Sequence, residues 1–153
     1  MSKIGIKYGL LITLVVVAWV VLVRFVMGVD TEARLNLLAP LLFNLTAFGA
    51  IFLGIKERKT QLGDNFRFRE GMRTGFHISL VYAISACFFF FIAFLVAGSR
   101  LLRSEHELSS MTLWQEALLA YAGLFFGAIV FGLIYSALSA FFLARVTAAS
   151  RKP

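Results

Sequence analysis

The sequence predicts an all-α integral membrane bundle of four transmembrane helices. Four stretches of 16, 21, 26 and 28 residues contain no Asp, Glu, Lys or Arg; they are Tyr8–Val23, Leu35–Ile55, Thr74–Ser99 and Ala117–Ala144. A helix that crosses the hydrocarbon core of a bilayer needs about 20 mostly apolar residues, so three of these stretches are long enough as they stand. Sixty per cent of the residues are hydrophobic and the mean hydropathy is +0.87, whereas soluble domains contain only about 45–50% apolar residues.

The predicted spans take up most of the chain and leave no room for a separate soluble domain. They cover about residues 4–27, 37–55, 75–98 and 113–144 of a single domain, residues 1–153. The first span extends beyond its uncharged stretch, because Arg24 lies near the span end and a guanidinium there can reach the lipid headgroups. We expect this span to remain uncleaved, since its apolar part is longer than the roughly 7–15 residues of a signal peptide core. Pro40 falls in the first turn of span two, where its missing N–H donor costs nothing.

The basic residues predict the orientation of the spans. Eleven of the fifteen Lys and Arg residues lie before span one, between spans two and three, or after span four, and only four lie in the other two connections. Because Lys and Arg collect in cytoplasmic loops, we expect both termini and the 56–74 connection in the cytoplasm. The net charge of +7 is therefore interpreted as a topology signal rather than as a nucleic-acid-binding surface.

The 56–74 connection is predicted to be a basic cytoplasmic loop. Leu62–Asn65 is a turn signal, after which Phe66 and Phe68 alternate with arginines. We expect these two rings to enter the headgroup boundary while the basic side chains contact anionic lipid headgroups; a ligand-binding loop is the alternative. The residues predicted to contact headgroups and to set the topology are Lys56, Arg58, Lys59, Arg67, Arg69 and Arg73.

Two signals mark the connection between spans three and four. A Leu-Leu pair among mixed charges predicts a short interfacial helix within Ser99–Met111, on the outer surface. Thr112 followed three residues later by Gln115 is a capping-box pattern, which predicts that the fourth helix begins near Leu113.

Span four carries a stripe of small residues at the spacing of helix-packing motifs. Gly123 and Gly127 form a GxxxG pair, and a second series with four-residue spacing begins five residues later. Small residues on one stripe let two helix backbones approach closely. The predicted packing residues are Gly123, Gly127, Gly132, Ser136 and Ala140, and their partner is either another span of the same chain or a second protomer.

The sequence contains no constellation that predicts catalysis or cofactor binding. His77 and His106 are predicted on opposite faces of the membrane, so they form no cluster of metal ligands, and no nucleotide-binding, hydrolase or CxxC motif occurs. All eight acidic residues fall in connections or at span ends, which argues against a carrier that depends on a carboxylate inside the membrane. We therefore expect no enzyme activity, no cofactor and no metal.

Three short motifs stand near the predicted cytoplasmic ends of the spans. They are Tyr8-Gly9-Leu10, Gly54-Ile55-Lys56-Glu57-Arg58-Lys59, and Phe68 followed by Gly71-Met72-Arg73-Thr74-Gly75-Phe76. With these motifs, its length and its four-span layout, the chain resembles a bacterial family of membrane proteins, the domain-of-unknown-function family 4199, over nearly its whole length. The resemblance implies the architecture and a bacterial inner-membrane location, and it implies no activity.

We expect a non-catalytic integral inner-membrane protein that serves as an accessory or structural subunit, or as a small scaffold, of a membrane assembly. A small transporter or channel that operates as an oligomer is the alternative. A third hypothesis is an enzyme that acts on lipid at the inner face through Glu57, Glu70 and His77. The predicted partners are the bilayer, its anionic headgroups at the inner face, and either further copies of the chain or a larger membrane complex; nucleic acid is not expected.

Overall fold

A computed structural model of the protein describes residues 3–23, 38–97 and 112–149. Within these ranges the chain forms four α-helices and no β-strand, and each helix contains a stretch long and apolar enough to cross a membrane. The predicted all-α, four-span fold is therefore confirmed, and the chain is a multi-pass membrane protein. Which side its termini occupy stays a prediction. Arg24 and the interfacial helix predicted within residues 99–111 lie outside the described residues.

The helices are α1, Lys3–Val21; α2, Ala39–Leu62; α3, Phe68–Ala97; and α4, Leu113–Ala149. The start of α4 follows from its sequence. The backbone N–H of Thr112 donates a hydrogen bond of 3.0 Å to Oε1 of Gln115, which is one half of the capping box that the spacing predicted. The prediction that α4 begins at Leu113 is thus confirmed.

The sequence predicted a loop over residues 56–74, but most of this segment is helical in the structure. α2 continues through it to Leu62 and α3 starts at Phe68, so only the 3₁₀ turn Gly63–Asn65 and two further residues separate the helices. Lys, Glu and Arg are good helix formers, so a helix that leaves an apolar environment continues in water. α2 stops at Gly63, whose φ of +53° lies in the left-handed region that favours glycine.

The helices form a bundle in which α3 contacts all three others. α3 packs most extensively against α4 and next against α1, while α2 contacts each of the other three helices. The end of the bundle where α1 begins, α2 turns into α3, and α4 finishes is called the basic end below, and the other is called the opposite end. The buried apolar core contains Ile12, Val16, Ile51, Ile55, Phe66, Ile78 and Leu143.

The outer surface of the bundle is apolar on every helix. Leu14, Leu45, Phe88 and Leu118 each expose more than 60% of their surface. A water-soluble protein rarely presents contiguous apolar surface of this kind, whereas lipid chains solvate it. The exposed apolar exterior and the polar basic end together fit a bundle embedded in a bilayer.

Candidate functional site

α3 and α4 meet along a small-residue seam near the basic end, formed by three close pairs: Gly71 with Ala140, Gly75 with Ser136, and Ser79 with Gly132. A Cβ added at Gly71 would lie 2.6 Å from the Cβ of Ala140, and one added at Gly75 would lie 2.5 Å from the Cβ of Ser136. Atoms this close overlap, so the two backbones pack at a separation that only glycine permits on at least one side of each pair.

The serines of the seam contribute no free polar group. The Ser79 hydroxyl donates to the carbonyl of Gly75 over 3.0 Å, and that of Ser136 donates to the carbonyl of Gly132 over 2.5 Å. Each hydroxyl is thus satisfied within its own helix, and both serines are almost completely buried. The seam serves close helix packing, and its Ser79–Gly132 pair also borders a cleft described below.

Two further glycines bring α1 and α2 against α3. A Cβ at Gly9 would meet the Cβ of Val81 at 2.7 Å and the carbonyl oxygen of Ile78 at 2.9 Å. One at Gly54 would meet Cδ1 of Ile78 at 2.5 Å and the ring of Tyr8 at 3.1 Å. The half of the bundle at the basic end is therefore held together by close helix contacts on three sides of α3.

A polar cluster lies at the basic end between α1 and α2. Oε2 of Glu57 accepts hydrogen bonds of 2.9 Å from both Lys7 Nζ and the Tyr8 hydroxyl, and Lys7 Nζ also lies 4.9 Å from the centre of the Tyr8 ring. Ion pairs between exposed groups stabilise a protein only slightly, and the Lys7 side chain is 60% exposed. The cluster fixes the register of α1 on α2 more than it adds stability.

Two basic side chains of the 56–74 segment make contacts within the bundle. Arg58 lies 3.7 Å from a carboxylate oxygen of Glu70 and 3.5 Å from Oε1 of Gln61, while Lys59 donates a 2.9 Å hydrogen bond to the carbonyl of Leu143. Lys59 thereby ties α2 to α4.

Four other basic side chains of this segment are exposed: Lys56, Arg67, Arg69 and Arg73. Within the described part of the chain, no hydrogen bond or ion pair of their side chains occurs. The six predicted headgroup residues thus divide into two that contact the bundle and four that face outward.

Deeper in the bundle, hydroxyl groups link the helices. The Thr13 and Ser85 hydroxyls lie 2.5 Å apart and join α1 to α3, and the Tyr121 hydroxyl donates to the carbonyl of Phe90 over 3.0 Å, which joins α4 to α3. Such bonds contribute about 0.6 kcal/mol each on average in membranes. They connect α1 and α4 to α3.

A cleft of about 200 Å³ lies between α2 and α4 and is called the α2–α4 cleft below. Its walls are mostly apolar and include Phe43 and Ala47 of α2 and Phe131 of α4. Gly123 and Gly127 also line it, and a Cβ added at either one would meet no atom within 4 Å.

Four polar residues line the cleft, and one of them, Ser79, also belongs to the small-residue seam. The Tyr135 hydroxyl donates a 2.6 Å hydrogen bond to Oδ1 of Asn44, and Nδ2 of Asn44 donates over 2.6 Å to the carbonyl of Pro40. Tyr82 of α3 lines the cleft as well. The Asn44–Tyr135 bond crosses from α2 to α4, and it keeps these two helices at a defined distance beside the cleft.

A family model described as a protein of unknown function, DUF4199, matches residues 7–145 of the chain. The chain belongs to the DUF4199 family. The resemblance stated from the sequence motifs is thereby confirmed. No curated protein and no solved structure matches it.

The structure brings the three motifs that suggested DUF4199 membership into one region at the basic end. Tyr8 and Gly9 belong to the first motif and Gly54 and Glu57 to the second, and all four take part in the contacts described above. The third motif supplies Gly71 and Gly75, two of the three residues on the α3 side of the small-residue seam. The motifs of this DUF4199 chain therefore serve helix packing.

The structure divides the small-residue stripe that the sequence predicted on α4. Gly132, Ser136 and Ala140 lie in the seam against α3. Gly123 and Gly127 line the α2–α4 cleft with open space in front of them, whereas Gly132, which also borders the cleft, is packed against Ser79. The five-residue step between Gly127 and Gly132 marked this division, because it turns the second series toward another side of the helix.

Two features of the site were not predicted from the sequence. Phe66 was expected at the headgroup boundary, yet it is 95% buried in the core beside Leu143, and only Phe68 is exposed. The α2–α4 cleft had no sequence signal beyond the GxxxG pair. Among the described residues, no group of three or more His, Cys, Asp or Glu side chains is placed to hold a metal ion.

Proposed function

We propose that the protein is a non-catalytic accessory subunit of a larger membrane assembly, and that its α2–α4 cleft receives a transmembrane helix of a partner protein. It resides in a bacterial inner membrane with both termini in the cytoplasm. The distribution of Lys and Arg residues supports this orientation, and four spans place both termini on one side.

The open space in front of Gly123 and Gly127 is the main support for this proposal. The four glycines of the basic end described above are each in close contact with a neighbouring helix, whereas a Cβ added at either residue of this GxxxG pair would meet no atom of the described chain within 4 Å. A glycine pair on a membrane helix lets another backbone approach closely. The pair is thus available to a helix other than α1, α2 and α3 of the described chain.

The size and chemistry of the cleft fit one side of a transmembrane helix. A volume of about 200 Å³ accommodates a large apolar side chain, and the surrounding walls are apolar. Beside it, Asn44 and Tyr135 keep hydrogen-bonding capacity beyond the bonds they already make, since an amide has two N–H donors and a hydroxyl accepts as well as donates. A partner helix with one bulky residue over the glycine pair complements this surface.

Filling the cleft tests the proposal. We expect Gly127→Leu to release a partner that co-purifies with the wild-type protein in mild detergent. Gly49→Leu is the matched control, because a Cβ at Gly49 also meets nothing within 4 Å and Gly49 does not line the cleft. A photoreactive residue placed at position 127 should give a crosslink to the same partner in intact membranes, and one at position 49 should not.

Three results would contradict the proposal. If both leucine variants retain the partner, or both lose it, the cleft is not the binding surface. A crosslink from position 127 to a second copy of the chain alone replaces the accessory-subunit proposal with a homo-oligomer. Reporter fusions that place either terminus outside the cytoplasm contradict the orientation.

The polar pair on the cleft wall favours a second candidate function, a small transporter or channel that works as an oligomer. Asn44 and Tyr135 lie at a cleft that several protomers would enclose. Under this reading, purified protein in proteoliposomes supports solute or ion flux and Asn44→Leu abolishes it. Absence of flux for any tested class of solute, together with a partner lost in Gly127→Leu, favours the accessory subunit.

A further inference from the structure

The outward face of α3 at the basic end carries two exposed arginines that the bundle does not use. Arg69 and Arg73 are four residues apart on one helix, which places their side chains side by side. Both residues are exposed, and in the described part of the chain neither guanidinium makes an ion pair or a hydrogen bond. The nearby carboxylates of Glu57 and Glu70 already pair with Lys7 and Arg58. The two arginines are therefore available for an anion from outside the protein.

The same face of α3 becomes apolar as it leaves the basic end. Phe76, Leu80 and Ile84 follow Arg73 at helical spacing, and Phe76 and Ile84 are exposed. At 1.5 Å per residue, Arg73 and Ile84 are about 16 Å apart along the helix, close to half of the roughly 30 Å hydrocarbon core. The face thus combines a pair of cations at headgroup depth with an apolar strip as long as one leaflet.

We propose that this face of α3 binds one anionic phospholipid, with Arg69 and Arg73 contacting its phosphate and Phe76, Leu80 and Ile84 contacting its acyl chain. A guanidinium presents a planar fork of donors that matches phosphate geometry, and two of them on adjacent turns converge on one headgroup. The apolar strip selects a lipid over a free phosphate ion.

Lipid titration of the purified protein tests this site. Phosphatidylglycerol and phosphatidylcholine are the two probes, added to the detergent-solubilised protein, and bound lipid is counted by native mass spectrometry. We expect the wild type to prefer phosphatidylglycerol. The double substitution Arg69→Gln with Arg73→Gln should weaken phosphatidylglycerol binding by roughly 30-fold, from the typical free energy of two basic residues at an anionic surface.

A control with the same loss of charge separates a site from a diffuse positive surface. Lys56→Gln with Arg67→Gln removes two exposed positive charges from the same segment but leaves the α3 face intact, and it should change binding by less than about threefold. Equal weakening in both double variants, or no lipid preference in the wild type, overturns the proposal. Displacement of phosphatidylglycerol by an equal concentration of inorganic phosphate also overturns it, because the ligand is then a free anion.

Discussion

Glycines are packed tightly against other helices in one half of the bundle and face open space in the other half. Toward the basic end, Gly9, Gly54, Gly71 and Gly75 each lie so close to another helix that an added Cβ would overlap its atoms. Toward the opposite end, Gly49, Gly123 and Gly127 face open space. Glycine at helix-packing spacing therefore indicates that a close approach is sterically permitted, and it does not show that the chain itself makes that approach.

The contacts that stabilise the bundle are concentrated in the half at the basic end. A membrane bundle gains little from apolar burial, because lipid tails are as apolar as the protein core, and it depends instead on packing and interhelical hydrogen bonds. The basic half supplies both, through the small-residue seam and the Tyr8–Glu57 and Lys59–Leu143 bonds. At the glycine pair of the α2–α4 cleft, the described chain makes no such close contact, and the proposed binding of a partner helix depends on this difference.

The largest effect is expected for Gly75→Ala. Its Cβ would lie 2.5 Å from the Cβ and 3.3 Å from the Cα of Ser136, so the backbone of α4 must move. Overpacking typically costs about 1–3 kcal/mol, and we expect a loss of about 3 kcal/mol in the free energy of unfolding, measured by reversible unfolding in mixed micelles.

Removing the opposing side chain should reverse this loss. Ser136→Gly takes away the Cβ that the new methyl group meets, so the double variant Gly75→Ala with Ser136→Gly should regain most of the stability. If the double variant loses as much free energy of unfolding as the two single variants lose together, Gly75 and Ser136 do not touch.

A smaller effect is expected on α2, where the two halves can be compared within one helix. Gly54→Ala brings a methyl group against Cδ1 of Ile78, which is the end of a flexible side chain, and against the Tyr8 ring at 3.1 Å. We expect a loss of about 1 kcal/mol, at the lower end of the overpacking range. Gly49→Ala meets nothing and should be neutral or slightly stabilising, since Ala favours helix over Gly. Equal effects of the two changes would remove the distinction between the halves.

The smallest effect is expected for Glu57→Gln. Gln keeps an oxygen that accepts the Tyr8 hydrogen bond and removes only the charge that attracts Lys7, whose side chain is mostly exposed. We expect a shift in the unfolding midpoint smaller than that of Gly54→Ala, and the difference from wild type should shrink at high salt. A loss as large as that of Gly75→Ala would make the charged cluster, rather than the glycine contacts, the main stabiliser of the basic end.

The sequence predicted the number of helices, the start of α4 and the small-residue stripe, because these depend on local composition and spacing. The ends of the helices were harder to predict, since α2 continues beyond Ile55 to Leu62 after its apolar stretch has finished. Hydropathy reports where a helix leaves an apolar environment and contains no information on where its hydrogen bonding stops.

Tertiary contacts account for what the sequence could not predict. Phe66 sits among basic residues and was interpreted as interfacial, but the turn after α2 folds it into the core beside Leu143. Gly127 and Gly132 look alike along the chain, and only the position of α3 makes one open and the other closely packed. Those outcomes depend on which helices are neighbours in space.

The most direct test compares Gly127→Ala with Gly132→Ala, two identical substitutions five residues apart on α4. A Cβ at position 132 would lie 2.5 Å from the Cβ of Ser79, whereas one at position 127 would meet nothing. We expect Gly132→Ala to lower the free energy of unfolding by about 2 kcal/mol, and Gly127→Ala to leave it unchanged or raise it by up to about 1 kcal/mol. Comparable destabilisation by both substitutions would contradict the division of the bundle into a closely packed half and an open one.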